Sequence, residues 1–285
     1  MKAMKLNFVG QNRNTVPDLP VGDTKVRGLD LMRNRITAIP ETLWRLAELE
    51  VLNLGDNLID TIDPGIGRLA NLTELYLHGN QLTTLPDALG ELPALRVLDL
   101  GHNRLRALPP AIGKLTNLRF LYASDGHLTE LPEELGALAN LRYLNATDNA
   151  LPALPRGIGA LSQLVELRLY NNVITELPDT VGALSSLREL HLDGNRIAEL
   201  PPSFGELREL RVISLRGNKL REMPTFLAEL PLLRHLDLRA NELRGLPDTV
   251  AATPRLEKLD LRWNPLKHEP AWLTQLEAGG CLVYR

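Results

Sequence analysis

Cysteine occurs once, at Cys281, so no intramolecular disulfide can form and a reducing compartment suffices. Aromatic residues make up 4% of a chain that is 44% hydrophobic, so the core must be aliphatic. No window approaches the ~18 consecutive apolar residues that cross a bilayer as a helix. The N-terminal stretch MKAMKLNFVGQNRN contains no apolar segment of signal-peptide length. Runs of like charge are missing too, and the formal net charge is −3. That excludes the basic footprint of a nucleic-acid binder and a charged tail that docks on a membrane. The absences together point to a soluble, cytoplasmic protein with no membrane insertion.

What is present is a period. Asparagine recurs at Asn34, Asn57, Asn80, Asn103, Asn149, Asn172, Asn195, Asn218, Asn241 and Asn264. Each gap is 23 residues, except that Asn103 to Asn149 spans two periods with Gly126 in the vacant slot. Leu118, Leu121 and Leu128 keep the register around Gly126. The chain therefore carries eleven repeats without insertion. Leu6, Phe8, Gln11, Val16 and Pro17 form a partial copy ahead of them, and Leu282 and Tyr284 a partial copy behind. Repeat arrays need such caps, because a terminal repeat has no neighbour to cover its apolar face. The expected division is one domain: a capping partial repeat over 1–25, eleven repeats over 26–278 and a capping strand over 279–285.

One repeat shows the local physics. In Leu95-Arg96-Val97-Leu98-Asp99-Leu100, residues 98 and 100 alternate with polar neighbours, the pattern of a half-buried strand. Asn103 then turns the chain. Its carboxamide both donates and accepts, so it can satisfy backbone groups freed at the turn and link to the next coil. Leu105, Leu108 and Pro109-Pro110 lead into Ala111-Ile112-Gly113-Lys114-Leu115. Proline suits the start of a short helical turn, where its missing N–H has no partner to lose. Each coil is thus expected to place a strand on one side and a 3-10 or short helical turn on the other.

The segment L-x-x-L-x-L-x-x-N-x-L-x-x-L-P-x-x-I-G-x-L resembles the intracellular, LP-containing class of leucine-rich repeats, which includes plant Ras-group-related proteins, Ras-pathway scaffolds and bacterial proteins. The resemblance covers nearly the whole chain. It implies an α/β leucine-rich-repeat solenoid, a horseshoe with a parallel sheet on its concave face, and a concave face that binds proteins. No cofactor is expected. Relatives with appended ubiquitin-ligase or GTPase modules differ from this chain, in which no further domain is expected after Arg285.

Strand alternation fixes which residues line that face: positions −6, −4, −2, −1 and +1 relative to the asparagine slot. Across eleven repeats these are 55 positions, about a fifth of the chain. Random placement would put about two of the eleven tyrosines and histidines there; nine fall there. They are Tyr76, Tyr122, Tyr143, Tyr170, His78, His102, His127, His191 and His235, joined by Phe120 and Trp263. Strand preference of aromatics explains part of this bias but less of it for histidine. Because Tyr, Trp and Arg dominate binding hot spots, the strip from Tyr76 and His78 through Phe120, Tyr122, Tyr143, Arg168 and Tyr170 to His191 is the candidate protein-binding platform. Arg216, Arg239 and Arg262 share the −2 slot of three consecutive repeats, beside Trp263. They form either a lattice neutralised by Asp237 and Asp260 at the −4 slot, or a site for an acidic partner segment. Ala123 and Ala146 replace inward leucines flanking Gly126, an irregularity that neighbouring side chains fill or that softens the sheet.

Catalytic patterns are weak. Gly113-Lys114-Leu115-Thr116 lacks the rest of a phosphate-binding loop and recurs in register as a convex turn. Cys281 and His268 could be imagined as nucleophile and base, but a C-terminal cap accounts for both. No carboxylate–histidine spacing suggests a metal site, and the two Asn-x-Thr sequons are fortuitous. The expected function is a monomeric, non-catalytic scaffold or adaptor that engages one protein. A second reading is an exported bacterial effector acting on a host signalling or ubiquitin component; a third is an enzyme with an unrecognised site.

Overall fold

The structure, a computed structural model, describes residues 4–19, 25–253 and 255–285. Parts of the expected N-terminal cap, residues 1–3 and 20–24, lie outside the described residues. The chain divides into two compact units, Met1–Asn145 and Ala146–Arg285. In the first, β1 (Met4–Asn7), β2 (Val26–Asp30), β3 (Val51–Asn53), β4 (Glu74–Tyr76), β5 (Val97–Asp99), β6 (Phe120–Tyr122) and β7 (Tyr143–Asn145) pair in sequence order, all parallel. In the second, β8 (Glu166–Arg168), β9 (Glu189–His191), β10 (Val212–Ser214), β11 (His235–Asp237), β12 (Lys258–Asp260) and β13 (Leu282–Tyr284) do the same. From β2 to β7 and from β8 to β12 partners differ by 23 residues, as in Tyr76↔Asp99↔Tyr122 and Ile213↔Leu236↔Leu259, whereas Met4↔Val26 differ by 22 and Lys258↔Leu282 by 24 at the caps. The period of the sequence has become the register of the sheets.

The strands β2 to β11 are each followed by a 3-10 turn, such as Pro110–Lys114 or Asp179–Ala183, and β12 by one α-helix, α1 (Trp272–Ala278). Pro64, Pro110 and Pro202 take the first position of their turns, as expected, but the proline that recurs in most repeats stands one place earlier. Pro86, Pro109, Pro155 and Pro178 stand one position before the turn with extended ψ near 145–151°. The pyrrolidine ring fixes φ near −65°, which suits an extended entry as well as a helical first residue. Where proline is displaced, Asp63 takes the capping place and its carboxylate accepts the Gly65 N–H at 2.7 Å.

The core is a ladder of aliphatic side chains. Leu52, Leu54, Leu75, Leu77 and Leu98 in the first unit, and Leu167, Leu190, Ile213 and Leu236 in the second, are fully or almost fully buried. Trp44 and Phe204 are the largest fully buried side chains. Where asparagine fills its slot, it closes the coil. Asn57 Nδ2 donates to the carbonyls of Leu54 and Gly55 in its own coil and of Leu31 in the preceding one, while its Oδ1 accepts the Ile36 N–H at 3.0 Å. Asn218 repeats the pattern with Leu215, Arg216, Leu192 and Ile197. The carboxamide therefore links to the preceding coil, not to the next one as expected, because its side chain points back along the stack. Asn34 makes the same bonds to Phe8 O and Arg13 N–H, which seats the partial repeat containing β1 on β2.

Candidate functional site

The strands expose −6 and −4 side chains on one face of each unit, and the following turn exposes −2 and −1. The −1 residue is left-handed almost throughout: φ is +52° at Asp56, +63° at Gly79 and +53° at His102 in the first unit, and +55° at Asn171, +64° at Gly194 and +52° at Ala240 in the second. Glycine, asparagine and aspartate tolerate that region best, which explains their frequency in the slot.

In the first unit, Phe120, Tyr122 and Tyr143 form one cluster. Tyr122 and Tyr143 have ring centroids 5.0 Å apart and tilted by 42°, and Phe120 lies 6.5 Å from Tyr143. Phe120 is exposed and the two tyrosines are half-buried. Tyr76 and His78 lie on the same face but are held by carboxylates. The Tyr76 hydroxyl donates to Glu74 Oε2 at 2.8 Å. Burial first, and then the Glu74 and Asp99 carboxylates, push its pKa up to about 12. Asp99 Oδ2 lies 3.1 Å from His78 Nδ1, and this neighbour raises the imidazole pKa above its ordinary 6.5, against the opposing effect of burial. A side chain at Gly55 would run into the His78 ring, so the imidazole lies over that glycine. Tyr76 also borders a hollow of about 400 Å³ together with Lys5, Asp30, Val51 and Asn53. Asp99 was not among the candidates. Its register position between Tyr76 and Tyr122 is the signal that would have found it.

In the second unit, Arg168 is ion-paired through Nε to Glu166 Oε1, and His191 Nε2 stands 3.3 Å from Glu189 Oε2. Glu166, Glu189 and His191 bring ligand-capable atoms within 4.8 Å of one another. They come from adjacent coils, so no local spacing announced the trio, and Arg168 already answers Glu166. Tyr170 is half-buried on the same face.

The three column arginines are not equivalent. Arg239 grips Asp237 through Nε at 2.9 Å and Nη2 at 2.5 Å, and its Nε also lies 3.4 Å from Asp260. Arg262 holds Asp260 in two contacts, at 2.9 and 2.7 Å. The Asp260 side chain is fully buried. Burial pushes its carboxyl up, but the contacts with Arg262 and Arg239 prevail and hold it below the usual carboxylate range. Both aspartates also accept the N–H two residues on, so they close their own turns. Arg216 is exposed and has no ion-pair partner among the described residues; its guanidinium carbon instead lies 5.9 Å from the Trp263 ring centroid. Arg262 lies 5.5 Å from the same ring, which is itself 65% exposed.

Cys281 is buried and burial pushes its thiol pKa up, the reverse of an activated nucleophile. His268 is exposed. No helix among the described residues is long and apolar enough to cross a membrane.

Comparison with known proteins agrees with the repeat geometry. The family described as leucine rich repeat matches residues 24–82, 185–243 and 208–266, and the one described as leucine-rich repeat region matches 91–194. The chain belongs to the leucine-rich-repeat family. No curated protein matches this repeat chain by sequence. Among solved structures, a leucine-rich-repeat protein of Leptospira interrogans is 25% identical, with a TM-score of 0.52 over 99% of this chain and 96% of that one. The plant peptide hormone receptor RGFR1, solved in complex with RGF2, is 29% identical with a TM-score of 0.71, over 91% of this chain but 47% of that one. An internalin of Listeria monocytogenes shares the fold at 24% identity, with a TM-score of 0.71 over 91% of this chain and 80% of that one. Leucine-rich-repeat folds typically serve protein interaction, and these repeats fit that class.

Proposed function

We propose that this chain is a non-catalytic scaffold or adaptor that binds a protein partner through the strand-bearing face of its repeats. The observation that carries the reading is the concentration of tyrosine and histidine on that face in a chain with 4% aromatic residues. Within it, Phe120, Tyr122 and Tyr143 form an aromatic cluster on β6 and β7. Tyrosine offers contact area at low conformational cost, and truncating such anchors commonly costs about 2 kcal/mol or more of binding. An interface of ordinary size would bury on the order of 800 Å² of this chain. The buried Cys281 thiol, with its pKa pushed up by burial, argues against a cysteine nucleophile. A reducing, cytoplasmic location and a monomeric state are part of the proposal.

The test is affinity capture with wild type and with a Phe120→Ala/Tyr122→Ala/Tyr143→Ala variant. Melting curves establish that the variant is folded. The expected outcome is loss of specifically captured partners. Capture of the same set at the same level by a folded variant would refute the role of the aromatic cluster.

A further inference from the structure

We infer that Arg216 and Trp263 form a docking site for an acidic protein segment, a deepening of the scaffold reading on which it rests. The first observation is an unanswered cation. Arg239 and Arg262 each have an aspartate two residues earlier at the end of the preceding strand, Asp237 and Asp260, and each is paired to it. At the corresponding place before Arg216 stands Ser214. Its hydroxyl donates to Asp193 Oδ1 in the preceding coil. Arg216 therefore keeps an exposed guanidinium with no ion-pair partner among the described residues.

The second observation is independent of charge. Trp263 sits in the left-handed slot at φ +62°, where Asp148, Asn171, Gly194, Gly217 and Ala240 stand in the other coils of this unit. A bulky side chain is strained there, and burial does not compensate, because the indole is 65% exposed. A residue kept at a conformational cost and facing solvent marks a place where contact with something else is used. Two guanidinium groups, Arg216 and Arg262, lie within 6 Å of the ring centroid.

Charge complementarity selects the occupant. The face positions of coils nine to eleven carry Arg216, Lys219, Arg239, Lys258 and Arg262 against Asp237, Glu242 and Asp260. All three acids are engaged: Asp237 and Asp260 as above, and Glu242 by Arg221 at 3.3 Å. The Lys258 ammonium lies 5.5 Å from the Tyr284 ring centroid rather than on a carboxylate. A carboxylate of the incoming segment would take the planar fork of Arg216 in a bidentate pair, and its neighbouring apolar groups would cover the indole. A polynucleotide demands several phosphate contacts in a row, and a chain of net charge −3 with Asp237, Glu242 and Asp260 interleaved among the cations of this face does not offer such a row.

The experiment is fluorescence anisotropy on the full chain with a labelled glutamate-rich peptide, a glutamine-for-glutamate copy of it and a labelled single-stranded oligonucleotide. Variants are Arg216→Gln, Trp263→Asn and, as a control, Arg208→Gln away from this face. Asparagine accepts the left-handed slot, so Trp263→Asn should melt at or above the wild-type temperature. The expected result is binding of the glutamate peptide by wild type and the control, weaker by about ten-fold or more in either site variant, and no binding of the glutamine copy. The inference is overturned if wild type does not bind the glutamate peptide, if both site variants bind it as wild type does, or if the oligonucleotide binds more tightly. Failure here, with partner capture still dependent on Phe120, Tyr122 and Tyr143, removes the acidic-segment site alone. Peptide binding at Arg216 and Trp263, with capture indifferent to the aromatic cluster, removes the cluster's role and keeps this one.

Discussion

At the scale of single residues, the face is decided by which side chains already have partners. His78 shows this in the first unit. It lies over Gly55 and beside Asp99, and its pKa is raised above 6.5 chiefly by that carboxylate. A histidine with a raised folded-state pKa contributes stability that is fully present below pH 6.5 and is lost as pH rises through the folded value. The imidazole of His78 should therefore titrate above 6.5 by NMR, and Asp99→Asn should return it toward the ordinary value. Asparagine keeps the turn intact, since Asn53 closes the equivalent turn by accepting the Gly55 N–H. A His78 midpoint at or below 6.5 in the wild type would exclude the pairing. The arginine column teaches the same lesson about the sequence. Three arginines in one slot read alike, with pairing to Asp237 and Asp260 and a free cationic site as alternatives. The decisive difference was Ser214 at the −4 slot, legible in the sequence but informative only once −4 and −2 side chains are known to meet. The trio Glu166, Glu189 and His191 was less accessible, because it depends on side-chain directions across two coils.

At the scale of the element, the asparagine period predicted strand, turn and register, because one backbone conformation repeats with one hydrogen-bond plan. It did not predict where the proline stands, since a fixed φ near −65° fits both an extended residue before the turn and the first residue of the turn. The glycine of the I-G dipeptide has a reason visible only in three dimensions. A methyl group on Gly113 would lie 2.5 Å from the carbonyl oxygen of Glu134 in the next turn. Gly113→Ala should accordingly force the coils apart and cost about 1–3 kcal/mol, read as a lower urea midpoint. Gly245→Ala serves as the comparison, because nothing lies within 4 Å of its added methyl group; it should be neutral or slightly stabilising. Equal effects of the two substitutions would mean that close coil packing does not set the identity of Gly113.

At the scale of the whole molecule, the leucine-rich repeats add stability through neighbours, so damage should spread from where it is made. Residues 279–285, the proposed C-terminal cap, test this within the second unit. The strand β13 pairs with β12, Tyr284 O accepts the Leu261 N–H at 2.7 Å, and Glu257 O accepts the Leu282 N–H at 2.8 Å. Cys281 is buried with them. Removing residues 279–285 leaves β12 with an unpaired edge and uncovers the apolar side chains beneath it, while β8 and β9 keep every neighbour they had. Hydrogen exchange should therefore accelerate first over Lys258–Asp260, then over His235–Asp237, with Glu166–Arg168 and Glu189–His191 least affected. A gradient of this form is the signature of nearest-neighbour coupling. Acceleration by the same factor across all of these strands would instead mean that the unit opens as one cooperative body. No acceleration over Lys258–Asp260 would mean that 279–285 does not act as a cap.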